Sequence, residues 1–481
     1  MATQQADTAT GPQSNFSHLI DGKAVTGDEW MDVINPATGE VFARCPRAGK
    51  KELDRAVAAA GKAFKSWSRT GYGERAELLR KMSEALEENA DWMGEILTRE
   101  QGKPIGQARA EIGRGRGQLD GLSSIEIPDE VLVDDDDRHI ELRYRPLGVT
   151  GIITPWNAPI NLALGPIASA LYTGNTIVLK PSPYTPLTTL KLGELMGKIF
   201  PPGVVNVIAG GDELGQLMTE HPDIRKISFT GSVETGKKVM ASCSATLKRI
   251  TLELGGNDPA IVLDDVDPKE VAKKLFFAGT VNSGQVCMAV KRIYAHEKIH
   301  DALCDALAEE AKNAKLGDGM DPDTQLGPLQ NKMQYEKVKA FLEDTKKTGA
   351  RILAGGEVPE GSGYYVTPTI VADIDENARL VREEQFGPVL PVLKFSDIDD
   401  AIDRANNTDY GLCGSVWTRD LKKGAELAAR LEVGTAWVNH HRETKPTVPF
   451  GGAKQSGLGR QYSIIGLKGY MEPLVISVAK K

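Results

Sequence analysis

The chain carries no dense cluster of lysine and arginine, and its 58 basic residues are outnumbered by 66 acidic ones, leaving a net charge of −8. Gripping nucleic acid through its phosphates needs the opposite balance, gathered on one face, so nucleic acid is not an expected partner. Cysteine is scarce: Cys45, Cys243, Cys287, Cys304 and Cys413 are odd in number, widely scattered and never spaced as CxxC. A disulfide framework, a thiolate zinc site and a dithiol redox pair are therefore not expected, and reduced thiols in a cytoplasmic protein are. Nowhere is there a run of about 18 apolar residues, and Met1–Asn15 is polar throughout, so neither membrane insertion nor secretion is expected. The one acidic run, Asp134 to Asp137, reads as a solvated loop and not a metal site, because four consecutive carboxylates cannot converge on one ion. A GxGxxG turn after a strand is also missing, so a dinucleotide would have to be held by other means.

What is present is length and alternation. With 481 residues the chain exceeds one ordinary core and predicts at least two domains. Residues 1–17, rich in Gln, Thr, Ala and Ser, read as a flexible N-terminus, and helical spacing marks Lys51 to Ser68 and Gly73 to Gln101. From Val149 onward short apolar runs (Val149 to Ile153, Thr176 to Leu179, Val204 to Ile208, Lys226 to Phe229) alternate with helical stretches such as Leu187 to Ile199. Strands apolar on both faces belong to parallel sheets covered by helices, and a second set runs from Ala260 to about Asn439. The expected fold is α/β with two doubly wound parallel-sheet domains. Residues 18–127 and 147–255 are assigned to a Rossmann-like dinucleotide-binding domain and 256–455 to a catalytic domain. Arg138 to Arg145 and Leu474 to Val478 read as exposed strands, which places 128–146 and 456–481 in a β-ribbon arm whose open edge invites a second copy.

Chemistry is concentrated in a few segments. Cys287 ends Asn282-Ser283-Gly284-Gln285-Val286-Cys287 and follows Glu253-Leu254-Gly255-Gly256 by 34 positions, so a thiol and a carboxylate are each framed by glycine. The pair suggests a covalent nucleophile and its base. Gly231-Ser232-Val233-Glu234-Thr235-Gly236 follows a strand and opens a helix, whose free N–H groups suit a pyrophosphate. The same segment nearly spells a P-loop, but Lys238 stands where a magnesium-holding Ser or Thr is required, which argues against a nucleotide triphosphatase.

Together with Pro155-Trp156-Asn157, Phe229-Thr230-Gly231-Ser232 and Glu384-Gln385-Phe386-Gly387-Pro388, in this chain order, these segments resemble the aldehyde dehydrogenase superfamily from about Asn35 onward. The resemblance implies an NAD(P)-dependent enzyme in which Cys287 attacks the aldehyde, Asn157 and the Cys287 N–H hold the oxyanion, and Glu253 activates water against the resulting thioester. It implies cofactor contacts from Trp156, Lys180, Ser182, Gly231, Ser232, Glu384 and Phe386, no metal, and a homodimer or homotetramer joined by the ribbon. Relatives that pass the acyl group to coenzyme A commonly lack the glutamate at 253, so release of a free acid is favoured. A non-catalytic member is disfavoured by the joint presence of Cys287, Glu253 and Asn157.

One departure bears on the cofactor. Many relatives read Lys-Pro-Ser-Glu where this chain has Lys180-Pro181-Ser182-Pro183, and without that carboxylate discrimination against NADP is weakened. For the substrate, small residues at Ala158, Gly165 and Val281, with Leu162 and Phe450 as apolar wall, favour a bulky or aromatic aldehyde. The alternative is a carboxylate-bearing semialdehyde held by His440, His441, Arg442 and Lys445.

Overall fold

A computed structural model describes residues 15–481 and contains two large mixed sheets and a ribbon. The first sheet has eight strands in the order Lys23–Val25, His18–Ile20, Val205–Val207, Thr176–Lys180, Val149–Ile153, Ile224–Thr230, Arg249–Glu253 and Gly457–Leu458. Its five central strands are parallel, while the two strands at one edge and Gly457–Leu458 at the other are antiparallel. Alternation explains the double cover. Ile152, Ile177 and Leu179 enter one apolar cluster, and Ile153, Val178, Ile227 and Phe229 enter the cluster on the opposite face.

The second sheet orders Arg351–Ala354, Thr369–Ala372, Val389–Phe395, Val290–His296, Asp258–Val262, Cys413–Trp417 and Thr435–Val438, parallel except at Arg351–Ala354. Here too neighbours separate by face, Ala260 and Val262 on one side and Ile261 on the other. The ribbon is antiparallel: Met471–Ala479 pairs with Arg138–Pro146, Leu142 opposite Val475, and Glu130–Asp134 lies on the other flank. The acidic run forms its turn, where the Asp135 carboxylate accepts from the N–H groups of Asp137 and Arg138.

Three features differ from the sequence reading. Residues 1–14 of the expected flexible N-terminus lie outside the described residues, but Phe16 is buried in the first domain's core. Residues 456–470 pack with the first domain: Gly457–Leu458 joins its sheet, and Tyr470 accepts a hydrogen bond from Asn175. A hairpin of Trp30–Asn35 and Glu40–Pro46 stands apart from both sheets.

The useful consequence is positional. Pro155-Trp156-Asn157, Lys180-Pro181-Ser182, Gly231-Ser232 and Glu253 all sit at the carboxyl ends of neighbouring parallel strands of the first sheet, where open α/β sheets bind ligands. Cys287 and Glu384 to Pro388 precede the Val290–His296 and Val389–Phe395 strands of the second. The two groups meet in one cleft.

Candidate active site

The segment before Cys287 is held in an unusual shape. Asn282 and Ser283 have φ of 53° and 54°, and Gly284 follows at φ 75°, giving three consecutive left-handed residues. Non-glycine residues pay strain there unless neighbours enforce it. The neighbours are present: Ser283 Oγ donates to the Gly327 carbonyl at 2.7 Å, Asn282 N donates to Gln107 Oε1 at 3.0 Å, and Gln330 N donates to Gln285 Oε1 at 2.8 Å. At Gly284 any Cβ would collide with the Gly387 carbonyl, so glycine is required where the two motif segments cross.

The turn that carries Asn157 is tied to the same loop. Asn157 Nδ2 donates to the Gln285 carbonyl at 2.9 Å, which leaves its second N–H for another acceptor. Its own carbonyl accepts from Lys103 Nζ and from Asn282 Nδ2, each at 2.9 Å. Lys103 is fully enclosed and paired with Glu111, whose other oxygen accepts from the N–H groups of Ile160 and Asn161. A buried ion pair therefore clamps both ends of the turn, and removing either partner would leave an uncompensated charge. Nothing in the local sequence signals this clamp.

Cys287 is partly reached by solvent, whereas Cys45, Cys243, Cys304 and Cys413 are buried. Burial pushes its thiol up to about 12, opposed by the Lys291 ammonium and reinforced by the carboxylates of Glu384, Glu253 and Asp258. Lys291, which the sequence reading missed, donates to the Val286 and Cys287 carbonyls at 2.9 and 2.6 Å and lies 3.6 Å from Glu384 Oε1. Its field favours the thiolate. Glu253 is buried, and neither carboxylate oxygen has a hydrogen-bond partner. Desolvation raises its pKa well above the ordinary carboxylate range, with Arg460 opposing.

The groups expected at a cofactor surround the same cleft. Lys180 is 3% exposed, its Nζ reaches only the Pro181 carbonyl at 3.3 Å, and burial lowers it to about 8 despite the fields of Asp212 and Glu213. An enclosed ammonium with two N–H groups to spare suits ribose hydroxyls. Ser182 is buried and accepts from Tyr184 N. Ser232 caps the Val233–Ser244 helix through Thr235 N, leaving the N–H groups of Val233 and Glu234 open, and a side chain at Gly231 would meet the Phe229 ring at 2.5 Å. Glu384 Oε1 accepts from Gly256 N at 3.0 Å, leaving its other oxygen for a hydroxyl donor. Phe386, at φ 51°, sets its ring edge-on to Trp156 with centroids 5.4 Å apart. These residues fit a dinucleotide lying across the strand ends, ribose and pyrophosphate included.

Among the residues expected to line a substrate tunnel, Ala158, Leu162, Val281 and Phe450 are all half-buried, and Phe450 packs in the cluster that includes Cys287 and Trp437. Space at Gly165 is not open: a Cβ there would approach Gln118 Oε1 at 2.9 Å and the Tyr462 ring at 3.0 Å. Gln118 Nε2 donates to the Tyr462 hydroxyl at 2.9 Å, so these two side chains fill what the glycine vacates. Of the four groups in the loop before Phe450, His440 and Lys445 face Glu443, and His441 is enclosed between Ser415 and Asp258. Arg442 alone has no such partner.

Comparison with known proteins agrees with this arrangement. A model of the aldehyde dehydrogenase family matches residues 23–476. The aldehyde dehydrogenase LUC3 of a Fusarium species is 38% identical over 469 residues, covering 97% of this chain and 99% of that protein. Among solved structures, a Bacillus cereus aldehyde dehydrogenase in complex with NAD+ superposes with a TM-score of 0.95 at 38% identity, covering 97% of both chains. The betaine aldehyde dehydrogenase of Staphylococcus aureus, also solved with NAD+, gives 0.93 at 34% identity over 96% of this chain and 94% of that one. With the match spanning nearly its whole length, this chain belongs to the aldehyde dehydrogenase family and is an NAD(P)-dependent enzyme.

Proposed function

We propose that Cys287 Sγ, having given its proton to solvent, adds as the thiolate to the aldehyde carbon, forming a thiohemiacetal whose oxyanion is met by the free N–H of Asn157 and the backbone N–H of Cys287. The observation that carries this reading is a partly accessible thiol within the field of a buried carboxylate, Glu253, that has no hydrogen-bond partner. A dinucleotide supplies the hydride acceptor when bound, and Glu384, Lys180 and the Val233–Ser244 helix end are the groups that would orient it. What remains is a thioester on Cys287, and Glu253 takes a proton from water as that water attacks it, releasing the acid and the thiol. The apolar walls at Ala158, Leu162, Val281 and Phe450 suit an aldehyde with an apolar, bulky or aromatic body. Its extent is limited by Tyr462 and Gln118.

Two accompanying features belong to the same reading. The missing carboxylate at Pro183 leaves NADP acceptable alongside NAD. Ribbon residues Val131, Leu132, Val475 and Val478 are 61, 51, 58 and 50% exposed on open strand edges, a surface suited to a second copy in a homodimer or homotetramer. Among the described residues no helix is long and apolar enough to cross a membrane, and five unpaired cysteines fit the reducing cytoplasm.

Cys287→Ser tests the assignment. It should abolish cofactor reduction by aldehydes while dinucleotide affinity, read by fluorescence titration, is nearly kept. Normal turnover in that variant would refute the covalent route.

A further inference from the structure

We propose that Arg442, backed by Arg114, receives a carboxylate carried by the aldehyde, so that the substrate is an aldehyde whose apolar body ends in an acid group. The inference rests on the aldehyde-oxidising reading above and specifies its substrate class.

Arg442 sits at φ 72°, a left-handed backbone that arginine adopts only when its surroundings hold it there. Its guanidinium lies 5.7 Å from the centroid of the Phe277 ring. Phe277 in turn lines a cleft of about 320 Å³ with Gln107, Thr280 and Val281, and Val281 leads into the loop that ends at Cys287. Arg442 Nε is closed off from solvent and has no hydrogen-bond partner. The charged groups that act on it are Arg114, which repels it, and the Cys287 thiol, which marks it as a neighbour of the reacting centre. Burial and Arg114 together lower it to about 10. Both arginines also act on Lys103, the residue that holds the Asn157 turn. The nearest candidate counter-ion in sequence, Glu443, is already engaged by His440 and Lys445.

An arginine whose Nε is shut away without a partner, acted on by a second guanidinium and by no carboxylate, is an arrangement that a protein alone would not favour, because a buried charge without a partner is costly. A bound anion removes that cost. The planar fork of arginine matches the two oxygens of a carboxylate, and Phe277 offers the apolar surface along which the body of such a ligand would lie. A phosphate dianion is the less suitable anion, because Glu384, Glu253 and Asp258 already surround the thiol with negative charge. The reaction would then yield a diacid.

The test compares kcat/KM for p-carboxybenzaldehyde against benzaldehyde, and for the semialdehyde of a short diacid against the aldehyde of equal length without the acid. The wild type should favour the acid-bearing member of each pair by about 10- to 100-fold, chiefly through KM, as a charge-assisted pair supplies. Arg442→Met should collapse that ratio, Arg442→Lys should keep part of it, and Arg114→Met, at an exposed position, should reduce it by a smaller factor. Glyceraldehyde phosphate serves as the phosphate arm. Preference for it over the carboxylates, or a wild type that favours the neutral aldehydes, or ratios unmoved by Arg442→Met and Arg114→Met, would overturn the proposal. Failure to oxidise any aldehyde would count against the underlying reading, whereas brisk oxidation of neutral aldehydes alone would sink only this one.

Discussion

Glu253→Gln isolates the hydrolytic half of the reaction. The substitution keeps size and removes basicity at a position where both carboxylate oxygens lack partners, so no existing hydrogen bond is lost. General-base assistance contributes typically 10²- to 10⁴-fold, or about 3 to 5 kcal/mol of barrier, and that is the expected fall in the hydrolysis rate. Thioester formation from the Cys287 thiolate consumes no water and so escapes this loss, and rapid mixing should show one equivalent of reduced cofactor per Cys287 formed quickly, then slow turnover. The pH dependence has a defined sign. Burial raises the Glu253 pKa well above the carboxylate range, and only the ionised form accepts a proton, so wild-type hydrolysis should climb with pH and level off above that raised value. The glutamine variant should show no such limb. Steady-state rates equal to the wild type across neutral pH, or a pH profile that keeps its limb in the variant, would refute Glu253 as the base.

Three further outcomes follow from the geometry. Lys291→Met removes a cation favouring the Cys287 thiolate, so alkylation by iodoacetamide at each pH between neutral and about pH 10 should slow; an unchanged alkylation rate would show that Lys291 acts only on the carbonyls it bonds. Pro183→Glu should depress kcat/KM for NADP much more than for NAD, and Glu213→Gln, which removes a carboxylate acting on Lys180, should raise NADP use; a wild type inactive with NADP would refute the loose discrimination. Val475→Asp, on an exposed ribbon edge, should lower the particle mass measured by light scattering, and an unchanged mass would remove the ribbon from any subunit contact.

How far the sequence could be read depended on whether a feature was local. Four central strands of the first sheet were visible within about two residues, because burial on both faces leaves short unbroken apolar runs, as at Val149–Ile153 and Thr176–Lys180, whereas the second sheet was legible only as an alternating set. The helix Ile105–Ser123 was hidden by Gly106, Gly113, Gly115, Gly117 and Gly121, residues that weaken helices. Packing explains two of them: a Cβ at Gly115 would strike Leu164, and one at Gly121 would lie 2.6 Å from Pro446. Cys287, Glu253 and Asn157 stood out through their glycine- and proline-framed motifs and meet in one cleft. Their support did not stand out, since the Lys103–Glu111 clamp and Lys291 act through backbone carbonyls and N–H groups that carry no signature. Of the three small residues taken to widen the tunnel, Gly165 opens no space, for a related reason. Tyr462, which fills that space, lies 344 positions from its partner Gln118, and no local pattern announces a contact of that span.

That span also sets the order in which the protein can be completed during synthesis. Gln118 and Tyr462 are 344 positions apart, Asn175 and Tyr470 are 295 apart, and Asp134 and Lys480 at the ribbon tip are 346 apart. When the parallel strands of the first sheet leave the ribosome, the tyrosine that packs beside Gly165 and the strand that pairs with Arg138–Pro146 have not yet been made. Contacts this distant in sequence form slowly, and an unpaired strand edge is open to neighbouring chains while it waits. A nascent chain is therefore exposed to misassembly longest at its ribbon, and chaperone demand should concentrate on that edge until the last strand arrives.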